Sequence, residues 1–335
     1  MEMIEIKKDL KRDISAALRP TCLLCDSQGR PAHTGLRDRL FGAPGQWNLY
    51  RCENDSCRLL WLNPMPLAED ISIAYEDYYT HAEADESDVP VGGRLKQVFR
   101  RMHRLAMDLT STTEARQAAL DLYLGDVRPG RVLEVGSGSG AHLLHLKAMG
   151  WDVEGQDIDP EAGARSLEGR GIRVHHGPLA ELRLAESRYD AIVMNHVIEH
   201  ATDPVALLGE CRRLLAQDGQ LVIVTPNTSS FGYFLFGASW LPLDPPRHLF
   251  LFSAKNLPVL ARLAGYSRAD AWASAASAEG VGIASWNLLG RGRHRLGVTP
   301  WGMARLVGLI FQIAASIVIK AWRSSGEEAV LRAWK

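Results

Sequence analysis

The stretch Val132 to Gly140, VLEVGSGSG, limits what this chain can fold into more than any other. Residues with strand character run into Gly136-Ser137-Gly138-Ser139-Gly140, and a helix-compatible run, AHLLHLKAMG, follows. Glycines at such a junction lack Cβ atoms, so the backbone can turn sharply and come close to a ligand. The N–H groups at the helix start then face whatever is bound, which suits a small anionic or zwitterionic cofactor. Gly136, Gly138 and Ala141 also satisfy the looser dinucleotide fingerprint G-x-G-x-x-G/A, so residues downstream must decide between cofactors.

From Gly130 onward strand-like and helix-like segments alternate, which predicts a mostly parallel sheet covered by helices. Strands are expected near 131–135, 152–157, 172–175, 190–194 and 220–225, and helices near 139–149, 160–169, 203–216 and 254–264. Asp203 before Pro204 reads as an N-cap followed by proline at N1, and Ser253 reads as the cap of the later helix. Two more strands are expected at Arg268–Ala275 and Glu328–Trp334, with 278–326 as an insertion between them. The fold class is then α/β: a Rossmann-like, doubly wound, mostly parallel seven-stranded sheet. Residues 1–85 read as a small zinc ribbon-like module, 86–127 as a helical connector, 128–277 as the core, and 278–335 as a helical insertion plus the last strand.

A net charge of −1 and 23% charged residues over 335 positions give no support to a general nucleic-acid backbone binder. The start, MEMIEIKKDLKRD, lacks the apolar core of a secretory signal, so a cytoplasmic location is expected. Four of the five cysteines precede residue 58, which in a reducing compartment favours metal ligation over disulfides. Cys22-x2-Cys25 and Cys52-x4-Cys57 form two close pairs, the pattern of a tetrahedral structural Zn2+ site with no open position. Cys211, in a helix beside Arg212 and Arg213, reads as inert.

Leu306 to Ile319 carries no charge over 14 residues, too short to cross a bilayer, which takes about 20. Arg305, Gln312, Ser316 and Lys320 would form one narrow polar stripe on this helix. Two readings stand: a core or homodimer helix, or an interfacial helix holding the chain at the inner face of a membrane.

Asp157 lies 19 residues past Gly138 at the end of the second expected strand, where an acid can accept both hydroxyls of a ribose. In the same DIDP segment, Asp159 reads simply as a cap for the helix after Pro160. Glu134 sits two residues before the first glycine, where a carboxylate can receive a cationic amino group. YDAIVMNHVIEHATDP forms a fourth strand with a polar turn, and LVIVTPN a fifth ending in Pro226-Asn227. Over roughly residues 130–275 these five segments resemble, in order, a class I S-adenosylmethionine-dependent methyltransferase. The resemblance implies that Glu134, Gly136, Gly138 and Gly140 form the first cofactor motif, Asp157 with Ile158 the ribose end, and Asn195-His196 the segment after strand four. In VHHGPLAEL the chain departs from the pattern, with Pro178 where relatives often place an acid contacting adenine. Leu179 is then expected on the ring, with Glu181 as a substitute acceptor.

His196-Val197-Ile198-Glu199-His200 also fits the zinc-protease string H-x-x-E-H, but that needs a continuous helix and a third ligand. In the methyltransferase reading His200 is either a base or a loop anchor. FGYFLFGASWLPLDPPRHLFLFS follows strand five, where this family builds its acceptor site; His248 is the first candidate general base, and Arg247 a candidate clamp for an acceptor carboxylate or phosphate. LFGAPGQWNLYRCENDSCRLLWLNPMP and YEDYYTH resemble the N-terminal zinc-binding region of bacterial methyltransferases linked to sugars, glycolipids and secondary metabolites. Arg58 stands where that family commonly has glycine. The expected function is therefore methyl transfer to a hydroxyl of a sugar, lipid-linked sugar or related small molecule. The competing readings are an NAD(P)-dependent enzyme and a catalytically silent zinc-containing scaffold.

Overall fold

The computed structural model describes residues 13–76, 107–108, 112–163, 167, 169–295 and 303–335. The N-terminal part is made of short strands: β1 (Ala16–Ala17), β2 (Gly29–Leu36), β3 (Trp47–Cys52), β4 (Leu60–Leu62) and β5 (Met65–Pro66). β2, β3 and β4 form an antiparallel meander, and β1 pairs with β5. A 3-10 turn at Ile71–Tyr75 follows; the acidic run beyond it falls mostly outside the described residues. Of the expected helical connector, α1 (Thr112–Leu120) and residues 107–108 are described.

The main sheet begins with β6 (Arg131–Val135), α2 (Ala141–Ala148), β7 (Asp152–Asp157) and β8 (Arg173–His176). It continues through β9 (Tyr189–Asn195), α3 (Pro204–Leu214), β10 (Leu215–Pro226), α4 (Phe231–Phe236), β11 (Phe250–Leu251) and α5 (Leu257–Leu263). Last come β12 (Arg268–Ser274), α6 (Ala278–Arg291), α7 (Met303–Ala321) and β13 (Glu328–Trp334). The seven-stranded order is β12-β13-β10-β9-β6-β7-β8. β6 to β10 run parallel, and β13 lies antiparallel between β10 and β12. The chain winds outward from β6 to β8, then returns to the other side with β9. The glycine loop after β6 therefore opens at the switch point, where open α/β sheets bind ligands.

Period-two alternation explains why these segments are strands. Leu133, Val135, Ile192, Met194 and Ile223 enter one buried cluster, while Val132, Val193, Val222 and Val224 enter the cluster on the opposite face. Asp203 caps α3 as expected, accepting from the Ala206 amide at 2.9 Å. Ser253 does not cap α5 with its side chain: Asn256 holds the N-cap position, the Ser253 amide donates to Asn256 Oδ1 at 2.8 Å, and the Ser253 carbonyl accepts from the Asn256 and Leu257 amides. The helix expected over 160–169 falls partly outside the described residues.

Two features depart from a bead-on-a-string arrangement. β11 pairs with β4, so residues 250–251 complete a four-stranded sheet begun near the N-terminus. Trp61 and Leu62 of that sheet share one buried cluster with Ile192 and Leu221 of the main sheet. The insertion also differs from expectation. α7 has 19 residues, so by length and composition alone it could cross a membrane. The middle of its polar stripe points inward, with Lys320 exposed at the end: Gln312 is 0% exposed and donates to the Ala275 carbonyl at 2.8 Å, and the Ser316 hydroxyl meets that of Thr112 at 2.9 Å. Residues facing solvent are instead Leu306, Ile310 and Ile317.

Candidate active site and cysteine cluster

The glycine loop is fastened from two sides. The Gly136 and Ser137 amides donate to the Gln156 carbonyl, and the Gly138 amide donates to Asp157 Oδ2 at 2.8 Å. Gly136 has φ +71°, and a Cβ there would stand 2.4 Å from Val197 Cγ2, so the turn after β9 lies directly against the loop. Gly138 has φ +48° with open space where its Cβ would be, the room a close-approaching ligand needs.

Asp157 and Asp159 divide the two roles that the sequence left open. Asp159 Oδ1 accepts from the Glu161 amide, a local turn cap. Asp157 ends β7 beside the glycine loop, its oxygens held by the amides of Gly138 and Asp159, with lone pairs left over. Ile158 next to it is 74% exposed, an apolar surface at the rim. Leu179 departs from expectation: it is turned into the core, because its 3-10 turn folds back onto the sheet. Pro178 is exposed just before it, and the Gly177 amide donates to the Asp157 carbonyl; Glu181 is exposed too. The flat end of the crevice is thus bordered by Ile158 and Pro178.

Glu134 is almost fully buried. Its Oε1 meets His142 Nδ1 at 3.0 Å, while Oε2 has no hydrogen-bond partner among the described residues. Burial raises its pKa above the usual carboxylate range and the Asp157 charge adds to this, while His142 opposes it. Asn195 closes β9, and His196 follows with φ +56°, bridging Glu199 (3.2 Å) and Glu328 (3.4 Å). Burial works against protonation of His196, but the hydrogen bonds and charges of both glutamates push its pKa up to about 10. His196 is therefore an imidazolium clamped between β9 and β13. His142 and Glu328 were not singled out in the sequence; two consecutive acids opening an apolar strand, Glu327-Glu328, were the available signal.

On the acceptor side, His200 and His248 come together with ring centroids 4.6 Å apart, edge to face. Burial, and next the neighbouring His248, draw the His200 pKa down to about 4. His200 is thus neutral near pH 7. Arg247 is not the expected acceptor clamp. It is wholly buried, with its guanidinium donating to Asp244, to Asp38 at 2.8 Å and to the Ala74 carbonyl, over the Phe41 ring. This ion pair pins the N-terminal module to the loop after β10.

The four cysteines converge. Cys22 and Cys57 sulfurs are 3.6 Å apart, those of Cys25 and Cys52 are 3.4 Å apart, and all four lie within 4.8 Å of one another. Thiolates about 2.3 Å from one tetrahedral zinc stand about 3.8 Å apart, so the cluster fits that ion. The Cys57 thiol and burial push Cys22 up, and burial pushes Cys52 up to about 11. Burial also acts to raise Cys25, yet hydrogen bonds from Ser27 bring it to about 7. Such a group of thiols ionises together only around a cation. Cys211 is buried in the core away from them. Arg58 has φ +51°, the left-handed conformation that a glycine adopts without strain. Arg58→Gly should therefore stabilise the protein by about 0.5–1 kcal/mol, read as a raised denaturation midpoint. The Asp55 ion pair it sacrifices is exposed and worth little.

Residues 99–268 match the family model described as "Methyltransferase domain". A ubiquinone biosynthesis O-methyltransferase of Cereibacter sphaeroides is 33% identical over 118 residues, covering 33% of this chain and 48% of that protein. A protein of Mycolicibacterium smegmatis described as a probable S-adenosylmethionine-dependent methyltransferase is 34% identical over 141 residues, 42% of this chain and 52% of its own. The chain thus spans about half the length of the curated relatives it matches. Among solved structures, a SAM-dependent methyltransferase from Archaeoglobus fulgidus aligns with 72% of this chain and 99% of its own, at 16% identity and a TM-score of 0.42.

Proposed function

The chain belongs to the methyltransferase-domain family, and from that premise we propose that it moves a methyl group from S-adenosylmethionine to a hydroxyl of a small acceptor. The observation that carries this reading is Glu134, a buried carboxylate with one oxygen unpartnered beside the glycine loop. Glu134 would receive the cofactor's ammonium, Asp157 its ribose hydroxyls, and Ile158 with Pro178 its adenine faces. When bound, the cofactor supplies an electrophilic methyl on a sulfonium. Alignment of acceptor and methyl is then the protein's main task, worth about 7–11 kcal/mol when well organised.

His248 is the base in this reading. Its Nδ1 donates to the Pro242 carbonyl at 2.7 Å, leaving the Nε2 lone pair to accept the hydroxyl proton as the new O–C bond forms. A zinc ion in the four-cysteine cluster would brace the module that carries Asp38 and Tyr75 to this region. The likeness to ubiquinone O-methyltransferases favours a lipid-like hydroxylated acceptor, and a lipid-linked sugar meets the same description.

The apolar outer face supports work at a membrane. Trp286, Leu289, Met303, Leu306, Ile310, Ile317 and Trp322 are all exposed on α6, α7 and just beyond. Residues 280–326 hold six arginines and lysines and no acid, which suits the anionic headgroups of an inner leaflet. Ile310→Glu with Ile317→Glu should cut flotation with anionic liposomes at least tenfold, leaving the fold intact because both sites are exposed. Flotation that is unchanged, with loss of a dimer instead, would assign the face to a second copy of the chain.

Isothermal titration with S-adenosylmethionine, its demethylated product and NAD tests the cofactor. Asp157→Ala should weaken the first two at least tenfold. Tight NAD binding with no response to either adenosyl ligand would overturn the reading. Labelled-donor incubation with cell extract and mass spectrometry then identifies the acceptor. A protein whose cellular role survives Gly138→Asp would be a scaffold.

A further inference from the structure

A cluster that the cofactor site does not use lies behind His196. Glu199 and His200 come from the 3-10 turn Ile198–His200, and His248 from the loop before β11, 48 residues beyond His200. One donor atom from each of the three lies within 4.8 Å of the others. We propose that Glu199, His200 and His248 form a second metal site that takes a divalent cation of the Mn, Fe or Zn type and presents it to an acceptor oxygen.

The hydrogen bonding of the two rings argues for it. His248 Nδ1 is 2.7 Å from the Pro242 carbonyl, and a carbonyl only accepts, so its proton sits on Nδ1 and its lone pair on Nε2. Metal-bound imidazoles are held in this way, by an Nδ1–H bond to a fixed oxygen. His200 Nδ1 is held between the Tyr75 hydroxyl at 2.9 Å and the Arg247 carbonyl at 3.1 Å, which fixes the ring. Among the described residues neither Nε2 has a hydrogen-bond partner. A buried carboxylate beside an acceptor nitrogen is relieved when a cation is shared. Glu199 is fully buried and itself oriented, accepting from Thr225 Oγ1 at 2.9 Å and from His196. Donors about 2.1 Å from a common ion stand about 3–4 Å apart, and the three here lie within 4.8 Å of one another.

The donor set selects the ion. Two imidazoles and one carboxylate with positions left open suit Fe, Mn or Zn and are poor for a soft, sulfur-seeking ion such as Cu(I). The H-x-x-E-H string contributes Glu199 and His200 but not His196, which is occupied between two carboxylates. The third ligand comes from His248. Two neutral imidazoles and one carboxylate leave the bound ion with net positive charge, which lowers the pKa of a hydroxyl on it. With the cation in place, the hydroxyl proton goes to solvent instead of His248. That role rests on the methyl-transfer reading, whereas cation binding does not.

The test is titration of the full, zinc-loaded chain with Mn2+, followed by electron paramagnetic resonance of the free ion. Mn2+ is chosen because a four-thiolate site takes it poorly. One Mn2+ per chain is expected, with affinity at least tenfold weaker in His248→Gln and in Glu199→Gln, folding being checked by circular dichroism. If Glu199→Gln fails to fold, His248→Gln and the wild-type stoichiometry decide. No bound Mn2+ in the wild type, or equal affinity in His248→Gln, overturns the site. Cation binding without methyl transfer to any acceptor leaves the site standing and removes the proposed reaction. Transfer that persists in chelator without bound cation removes the cation's role in the reaction and leaves His248 as the base.

Discussion

Gly136→Ala should weaken S-adenosylmethionine binding by at least a hundredfold, about 2.7 kcal/mol, in calorimetric titration. Two costs combine at this position. A left-handed backbone costs a non-glycine residue about 1–2 kcal/mol, and Gly136 has φ +71°. The added Cβ would also stand 2.4 Å from Val197 Cγ2, and overpacking of that kind costs about 1–3 kcal/mol. Val197 is β-branched and stiff at χ1, so the turn must move, and His196 with it. Gly138→Ala separates binding from stability: nothing would crowd its Cβ, so folding loses only about 1–2 kcal/mol while the ligand's approach is blocked. A Gly136→Ala protein that binds the cofactor within threefold of wild type would show that this loop is not its cradle.

Cys52→Ser should release one zinc equivalent per chain and disorder the N-terminal sheet, with loss of methyl transfer. Structural zinc sites contribute about 10–16 kcal/mol in small peptides, far more than one hydrogen bond. Cys52 closes β3, and β3 is hydrogen-bonded to β4, which in turn pairs with β11. Loss of the ion therefore propagates to Phe250 and Leu251, two residues past His248. Asp38 would leave Arg247 at the same time, so that Asp244 alone would neutralise that buried guanidinium. Elemental analysis and thermal denaturation read the two effects. A metal-free chain that folds with an unchanged midpoint would dismiss the four-thiolate site.

Much of this arrangement is legible in the sequence because it depends on local pattern. Short apolar runs with glycine and proline punctuation located β6, β7, β12 and β13 closely, and the strand-loop-helix junction located the crevice. β10 runs from Leu215, five residues earlier than its apolar run suggests, because Leu215 pairs with Tyr189 across an irregularity before Gln220 resumes the ladder. Asp159 caps a local turn through the Glu161 amide, as its place in DIDP suggested. Arg247 could not be read locally, since its partner Asp38 lies 209 residues away. α7 left two readings open for a related reason: a polar stripe does not say which way it faces, and Gln312 and Ser316 prove to satisfy buried carbonyl and hydroxyl groups while Leu306, Ile310 and Ile317 face outward.

The sequence by itself determined the sheet, the glycine crevice and the two cysteine pairs, because periodicity, turn chemistry and ligand spacing act over a few residues. Only the tertiary structure decided which polar groups meet. It joined His200 to His248, clamped His196 between Glu199 and Glu328, and buried Arg247, because burial forces every charge and lone pair to find a partner wherever the chain happens to bring one.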